Sequence, residues 1–297
     1  MNRFFLQSLS IGCVDIFVLI SGYFGIRPKL KGFLNFIFQC LFFLCGIYVI
    51  FLLAGYTKFS ITGILDCFVL TKHNWFIKSY IFLYILAPLL NAFVEHSSEK
   101  ELRNTLVSFY IFQTIYGWIT SSALFFQSGY STTSFIGLYL LARYVKLYSP
   151  NWSKMPRWKD ISIFVMMIIG LTLISFILCR FNAYEIFPPL RARVFSYINP
   201  LVIASALFLL LYFSKLKIYS TIINKIAVSC FAVFLLHQHA CVVPLFKYVI
   251  TCIYETCSSL YCLTIISFFL LLVFFFAVLI DKIRLACWNS IWKRIEK

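Results

Sequence analysis

The chain has 297 residues, of which 62% are apolar and only 12% charged, and its mean hydropathy is +0.92. A water-soluble globular fold is excluded, because such a domain needs far more polar surface to cover its core. The formal net charge of +16 lies in short connections between apolar runs and forms no clustered face, so no nucleic acid partner is expected.

Runs of roughly 20 apolar residues recur along the chain, each long enough to cross about 30 Å of hydrocarbon. Backbone groups in lipid must satisfy one another, and the alternating pattern of barrel strands is missing, so the runs read as helices. The expected spans are 9–26, 33–55, 75–94, 105–127, 131–148, 160–179, 195–213, 221–240 and 261–281. The expected fold is thus an all-α polytopic membrane protein, a bundle of about nine transmembrane helices in one domain over residues 1–297. Ser10-Ile11-Gly12-Cys13 has the outline of a lipoprotein cleavage site, but the apolar stretch before it is too short, and a retained helix is expected.

Alternate loops hold most of the 26 Lys and Arg, among them Arg27, Lys29, Lys31, Arg103, Arg143, Lys154, Arg157 and Lys215. That side is expected to be cytoplasmic, with the C-terminus inside and Met1 outside. Trp152, Trp158, Trp288 and Trp292 fall on the same side, as an interfacial belt would place them. From Asp281 onward, apolar and basic residues mix in the manner of an amphipathic helix lying on the inner leaflet. The eleven cysteines show no metal-ligand spacing and read as small hydrophobes, and no metal is expected.

Ionisable and strongly polar groups inside spans ask for a reason. The first span carries Asp15 toward its outer end and Ser21-Gly22-Tyr23 toward its inner end, where Gly22 permits close helix packing. Arg27, Lys29 and Lys31 follow. They suit either anionic lipid or a phosphorylated donor. In the third span Tyr80, Tyr84, Pro88 and Asn91 share one face, a stripe that ordinarily marks helix contact; Gln113, Gly117 and Thr120 form a weaker one in the fourth. His237 closes the eighth span at a depth similar to that of Asp15. A hydrogen-bonded packing role is the simpler reading of such a histidine, and an Asp15–His237 catalytic pair is the sharper one.

The run Val14-Asp15-Ile16-Phe17 through Ser21-Gly22-Tyr23 resembles the V-D-x-F-x-x-x-S-G-Y helix of membrane acyltransferase family 3. Trp75-Phe76 through Tyr84 to Asn91, Phe135 through Arg143-Tyr144, and Val233 through His237 match further stretches in the same order. The resemblance implies a bacterial enzyme of the cytoplasmic membrane. Its activity would be transfer of an acyl group, typically acetyl, from acyl-CoA as co-substrate to a hydroxyl of a surface polysaccharide or lipid-linked sugar, with no resident cofactor. On that basis Arg27, Lys29, Lys31 and Arg143 would hold the donor's phosphates, and the loop with Arg180, Tyr184 and Arg193 would receive the acceptor. Family members also carry an arginine and, roughly three turns later, a catalytic histidine in a first helix. This chain opens at what matches their second, so it is expected to lack that helix, and no residue here inherits that histidine's role. The alternative is a non-catalytic membrane protein: a glycan flippase or transporter, or an inactive relative. A transporter would show paired broken helices, and only Ala87-Pro88 and Asn199-Pro200 read as break signals.

Overall fold

A computed structural model describes residues 2–187, 189–257 and 259–296. It is 80% helical, with no strand among the described residues. The helices in chain order are α1 (Asn2–Ile11), α2 (Cys13–Phe24), α3 (Leu30–Leu53), α4 (Ile61–Cys67) and α5 (Trp75–His96). They continue with α6 (Glu99–Phe112), α7 (Thr132–Tyr148), α8 (Arg157–Arg180), α9 (Ala183–Ile186) and α10 (Pro189–Val194). The last are α11 (Pro200–Ser214), α12 (Thr221–Ala227), α13 (Cys230–His237), α14 (Val242–Thr256) and α15 (Ser259–Ile295).

Among the described residues five helices are long and apolar enough to cross a membrane: Arg3–Phe24, Leu30–Leu53, Trp75–His96, Arg157–Arg180 and Tyr261–Ile295. A sixth candidate is Thr221–His237 with Val242–Thr256, bent by 87° at the break between them. The all-α, multi-pass membrane architecture read from composition is therefore the one adopted. Their outward faces are apolar: Val165, Met166 and Ile169 on α8, and Leu271, Leu272, Phe275 and Phe276 on α15, are all exposed. Apolar faces of that kind on long helices have hydrocarbon as their natural solvent.

The chain forms two compact units, one of Met1–Pro28 with Lys78–Lys217 and the other of Lys29–Ile77 with Ile218–Lys297. In the first, α2 packs along α7, and α11 along both α8 and α2. The first helix starts at Asn2 rather than residue 9, because Phe4, Phe5 and Leu6 prolong its apolar run. Phe4 and Ile11 pack against a core of Leu171, Val194, Phe195 and Val202. Helix ends follow local chemistry. Ser98 and Glu101 form a reciprocal capping box at the start of α6, and the Ser98 hydroxyl and N–H hold the Glu101 carboxyl below its ordinary pKa. Asn199-Pro200, expected as a break inside a span, is instead a helix start, with the Asn199 side chain accepting from the Leu201 N–H (2.9 Å). A π-helical stretch, Gln113–Ile119, continues α6.

In the second unit α13 packs on α3 and α15. Here two expectations are corrected. The eighth span, expected over 221–240, ends its helix at His237, and after a bend of 87° a further apolar helix, α14, follows that is unforeseen in sequence. The residues from Asp281 onward do not form a separate surface helix. They continue α15 without a break to Ile295, a rod of roughly 55 Å at 1.5 Å per residue. Trp288 accordingly is buried against Phe38 and stacked with Trp292 rather than lying in a belt.

Candidate functional site

In the first unit the predicted motif residues meet around the turn that follows α2. The Ser21 hydroxyl donates to the Phe17 carbonyl (3.0 Å), which leaves its oxygen to accept from the Tyr80 hydroxyl (3.1 Å). Gly22 lies flat on α7: a Cβ there would come within 2.5 Å of the Tyr139 carbonyl oxygen and 2.9 Å of the Ala142 Cβ. One turn on, Asn91 donates to the Ile26 carbonyl (2.9 Å), while the Tyr139 hydroxyl donates to Asn91 Oδ1 (2.6 Å) and accepts from the Ile26 N–H (3.1 Å). Both backbone groups of Ile26 are thereby pinned, and so is the placement of Arg27 beside it. Gly25 adopts φ +75°, and a Cβ there would lie 2.8 Å from Arg143 Nη1, so the guanidinium packs directly over the glycine. The Lys146 ammonium lies 4.7 Å above the Tyr23 ring. Tyr84 is half-buried, one turn beyond Tyr80.

Replacing Tyr139 by Phe is expected to cost about 1–3 kcal/mol, since the fully buried hydroxyl satisfies Asn91 and Ile26 at once. Equilibrium unfolding in detergent micelles measures it. An unchanged midpoint would show that the turn is not held this way.

Arg27 itself is exposed. Two adjoining hollows of about 510 and 410 Å³, which share Ser149 and Lys154, open at the same end of this unit. Tyr23, Arg157 and Lys215 line the first; Arg103, Tyr148 and Trp152 line the second. Lys215 is held by Asp160 (2.5 Å) and by the Met155 carbonyl (2.8 Å), whereas Lys154, Arg157 and Arg103 are exposed. Asp15 is also in this unit. It is fully buried, and neither carboxyl oxygen has a hydrogen-bond partner. The hydroxyls of Tyr110 and Tyr197 lie within its electrostatic reach, and that of Tyr110 is equally unpartnered. Packing alone gives no reason for such a costly group in a membrane helix.

His237 belongs to the second unit, where it closes α13 against Phe234 and Phe246. Its Nδ1 lies 2.7 Å from the Val233 carbonyl, which can only accept, so Nδ1 carries the proton in the neutral ring. Nε2 is then the basic nitrogen, and the exposed Gln238 side chain reaches it at 3.2 Å. That is the tautomer and orientation a general base requires. His239 differs: Nε2 donates to the Leu44 carbonyl (3.2 Å) and Nδ1 accepts from the Cys241 N–H (3.1 Å), so both nitrogens hold the bend before α14. Lys29 and Lys31 are exposed, and Lys31 pairs with Glu296 (3.4 Å) and lies 5.0 Å over the Trp292 ring. Among the described residues no cluster of His, Cys, Asp or Glu is arranged to hold a metal.

Compared with known families, residues 2–282 match the family model described as the acyltransferase domain of family 3. The chain belongs to acyltransferase family 3. No curated protein and no solved structure matches it. Family 3 proteins are acyltransferases, and this one is a membrane acyltransferase whose matched region spans both units.

Sequence reasoning missed one polar cluster in this acyltransferase. Arg284 is 1% exposed, and its Nε and Nη2 donate to the two carboxyl oxygens of Asp281 (2.8 and 3.0 Å). Nη1 donates to Asn35 Oδ1 (2.7 Å), and Gln39 Nε2 donates to Asp281 Oδ1 (3.0 Å). Asp281 and Arg284 one turn apart were a legible signal. The mix of apolar and basic residues that follows places them instead at the head of an expected surface tail.

Proposed function

We propose that this enzyme takes its acyl group from acyl-CoA and passes it to a hydroxyl of a cell-surface polysaccharide or lipid-linked sugar, from a bacterial cytoplasmic membrane with the C-terminus inside. The observation that carries the donor assignment is the pair of hollows at the basic end of the first unit. A CoA thioester ends in an adenine and three phosphates. Tyr23, Tyr148 and Trp152 offer faces for the base, and Lys154, Arg157 and Arg103 offer cations for the phosphates. Arg27 and Arg143, on and over the pinned turn, extend the same positive field. Those residues fall in the loops that the positive-inside rule assigns to the cytoplasm, where acyl-CoA is made.

In the reaction the acceptor oxygen attacks the thioester carbonyl, the C–O bond forms, the C–S bond breaks, and the sulfur leaves as the thiol. A sugar hydroxyl is a weak nucleophile near neutral pH, so its proton must be taken as the bond forms. His237, with Nε2 basic, is assigned that step, and Asp15, in the first unit, is a separate candidate on the strength of its unpartnered buried carboxyl.

Purified enzyme in liposomes, supplied with radiolabelled acetyl-CoA and a surface polysaccharide, is expected to label the polysaccharide. Reversing the exposed charges with Arg103→Glu and Lys154→Glu should raise KM for acetyl-CoA about tenfold or more, as loss of charge-assisted phosphate contacts implies. His237→Gln should instead lower kcat by about 10²–10⁴. Unchanged KM in the double variant would remove the donor from this end of the unit. Unchanged kcat in His237→Gln would remove the base.

A further inference from the structure

The second unit contains a hollow of about 710 Å³, the volume of a small-ligand site, at the end of α3. Its walls come from α3, from the segment leading into α4, and from the bend that begins two residues after His237. Its architecture is rigid. The Tyr48 hydroxyl accepts from the Ser60 N–H (3.0 Å) and donates to the Ser60 carbonyl (3.4 Å), and the Tyr48 ring lies so close to Gly63 that a Cβ there would meet it at 2.5 Å. His239, committed at both nitrogens, is a fixed wall rather than a titrating one.

The chemistry of the lining is selective. Asp66 is its one acidic side chain, and no Lys or Arg is among the described lining residues. One carboxyl oxygen of Asp66 accepts from the Thr71 hydroxyl, and its backbone carbonyl is held by Asn74 (2.8 Å). Tyr56 and Tyr248, 83% and 67% exposed, add aromatic rings to the lining, that of Tyr56 tilted against Phe51 with centroids 6.0 Å apart. With no cation in the lining the carboxylate repels phosphate, whereas the donor's hollow sets Arg103 and Lys154 beside its own carboxylate, Glu99. An aromatic face beside a carboxylate matches a sugar ring, with its apolar C–H face on one side and adjacent hydroxyl donors at the edge. Thr57 and Thr62 add neutral hydroxyl partners.

We infer that this hollow binds an uncharged sugar residue of the acceptor, stacked at Tyr56 and Tyr248 and hydrogen-bonded to Asp66, and that Asp66 excludes acidic sugars. The inference rests on the glycan acceptor proposed above and names the part of it that this unit holds. The positive-inside reading puts this end of the chain outside, where surface glycans lie.

Saturation-transfer NMR on the purified full chain in nanodiscs tests it, with methyl glucoside, methyl rhamnoside and N-acetylglucosamine as neutral probes and glucuronate as the acidic one. At least one neutral probe should receive saturation, glucuronate should not, and Tyr56→Ala with Tyr248→Ala should abolish the signal. Both tyrosines are exposed, so folding is preserved. Asp66→Asn should weaken the neutral probe and admit glucuronate, a gain that a merely structural carboxylate would not give. Neutral probes that ignore the tyrosine variants, or glucuronate bound equally by the parent, overturn the inference. So does tetramethylammonium competing at the same site in place of a sugar. Failure here with acetyl transfer intact rejects this hollow alone. Sugar binding without any transfer from acetyl-CoA rejects the proposed reaction and leaves the hollow standing.

Discussion

Arg284→Met should destabilise the protein by about 3–5 kcal/mol, the cost of leaving a buried charge without its partner. Asp281 is fully buried, and three of its contacts are hydrogen bonds from Arg284 and Gln39. Removing the guanidinium also strands Asn35 Oδ1. The double variant Asp281→Leu with Arg284→Met should recover much of that loss, because an apolar pair of similar volume escapes the desolvation that the ion pair suffers. Equilibrium unfolding in mixed detergent micelles supplies the three free energies of the cycle. If the single variant is as stable as the parent, the pair is not buried in the membrane protein. If the double is no better than the single, Asn35 and Gln39 depend on the charges more than the geometry shows.

That cluster also shows where sequence reading stops. The apolar runs of α3, α5, α8 and α15 were legible because their residues answer to one local variable, the thickness of the hydrocarbon. The all-helical membrane fold followed from that alone. The stripe of Tyr80, Tyr84 and Asn91 was visible as a helix face, but not its partners. Asn91 binds Ile26, 65 residues away, and Tyr139, 48 residues away. Periodicity carries no information about which distant face completes a pair. The break after His237 was hidden for another reason. His239 makes the bend with its own side chain, which reads in sequence as one more polar residue at a span's end. Among the proposed donor residues, Arg27 stands out by its charge behind the first span, and Arg143 by the family resemblance. Lys154, Trp152 and Tyr148 were not singled out as a site, because only folding brings them around one hollow beside Ser149.

The second large effect is expected at Gly22. Gly22→Ala places a methyl carbon 2.5 Å from the Tyr139 carbonyl oxygen and 2.9 Å from both the Tyr139 Cα and the Ala142 Cβ. Two of those three atoms are backbone, so no side-chain rotation relieves the overlap, and α2 must move away from α7. Overpacking of this kind costs about 1–3 kcal/mol, and more where the yielding atoms are main chain. Gly170, in the middle of α8, is the internal control: nothing lies within 4 Å of the position its Cβ would take. There the alanine should gain about 0.5–1 kcal/mol from helix propensity alone. The two variants add the same atom to the same backbone geometry, so a difference in sign between their unfolding midpoints isolates the helix–helix contact. Separation of α2 from α7 would also pull Ile26 from the Tyr139–Asn91 clamp. Gly22→Ala should therefore lose acyl transfer at temperatures where it is still folded, while Gly170→Ala keeps it. Equal stabilities for the two alanines would mean that α2 and α7 do not approach through Gly22, and the clamp on the Arg27 turn would lose its foundation.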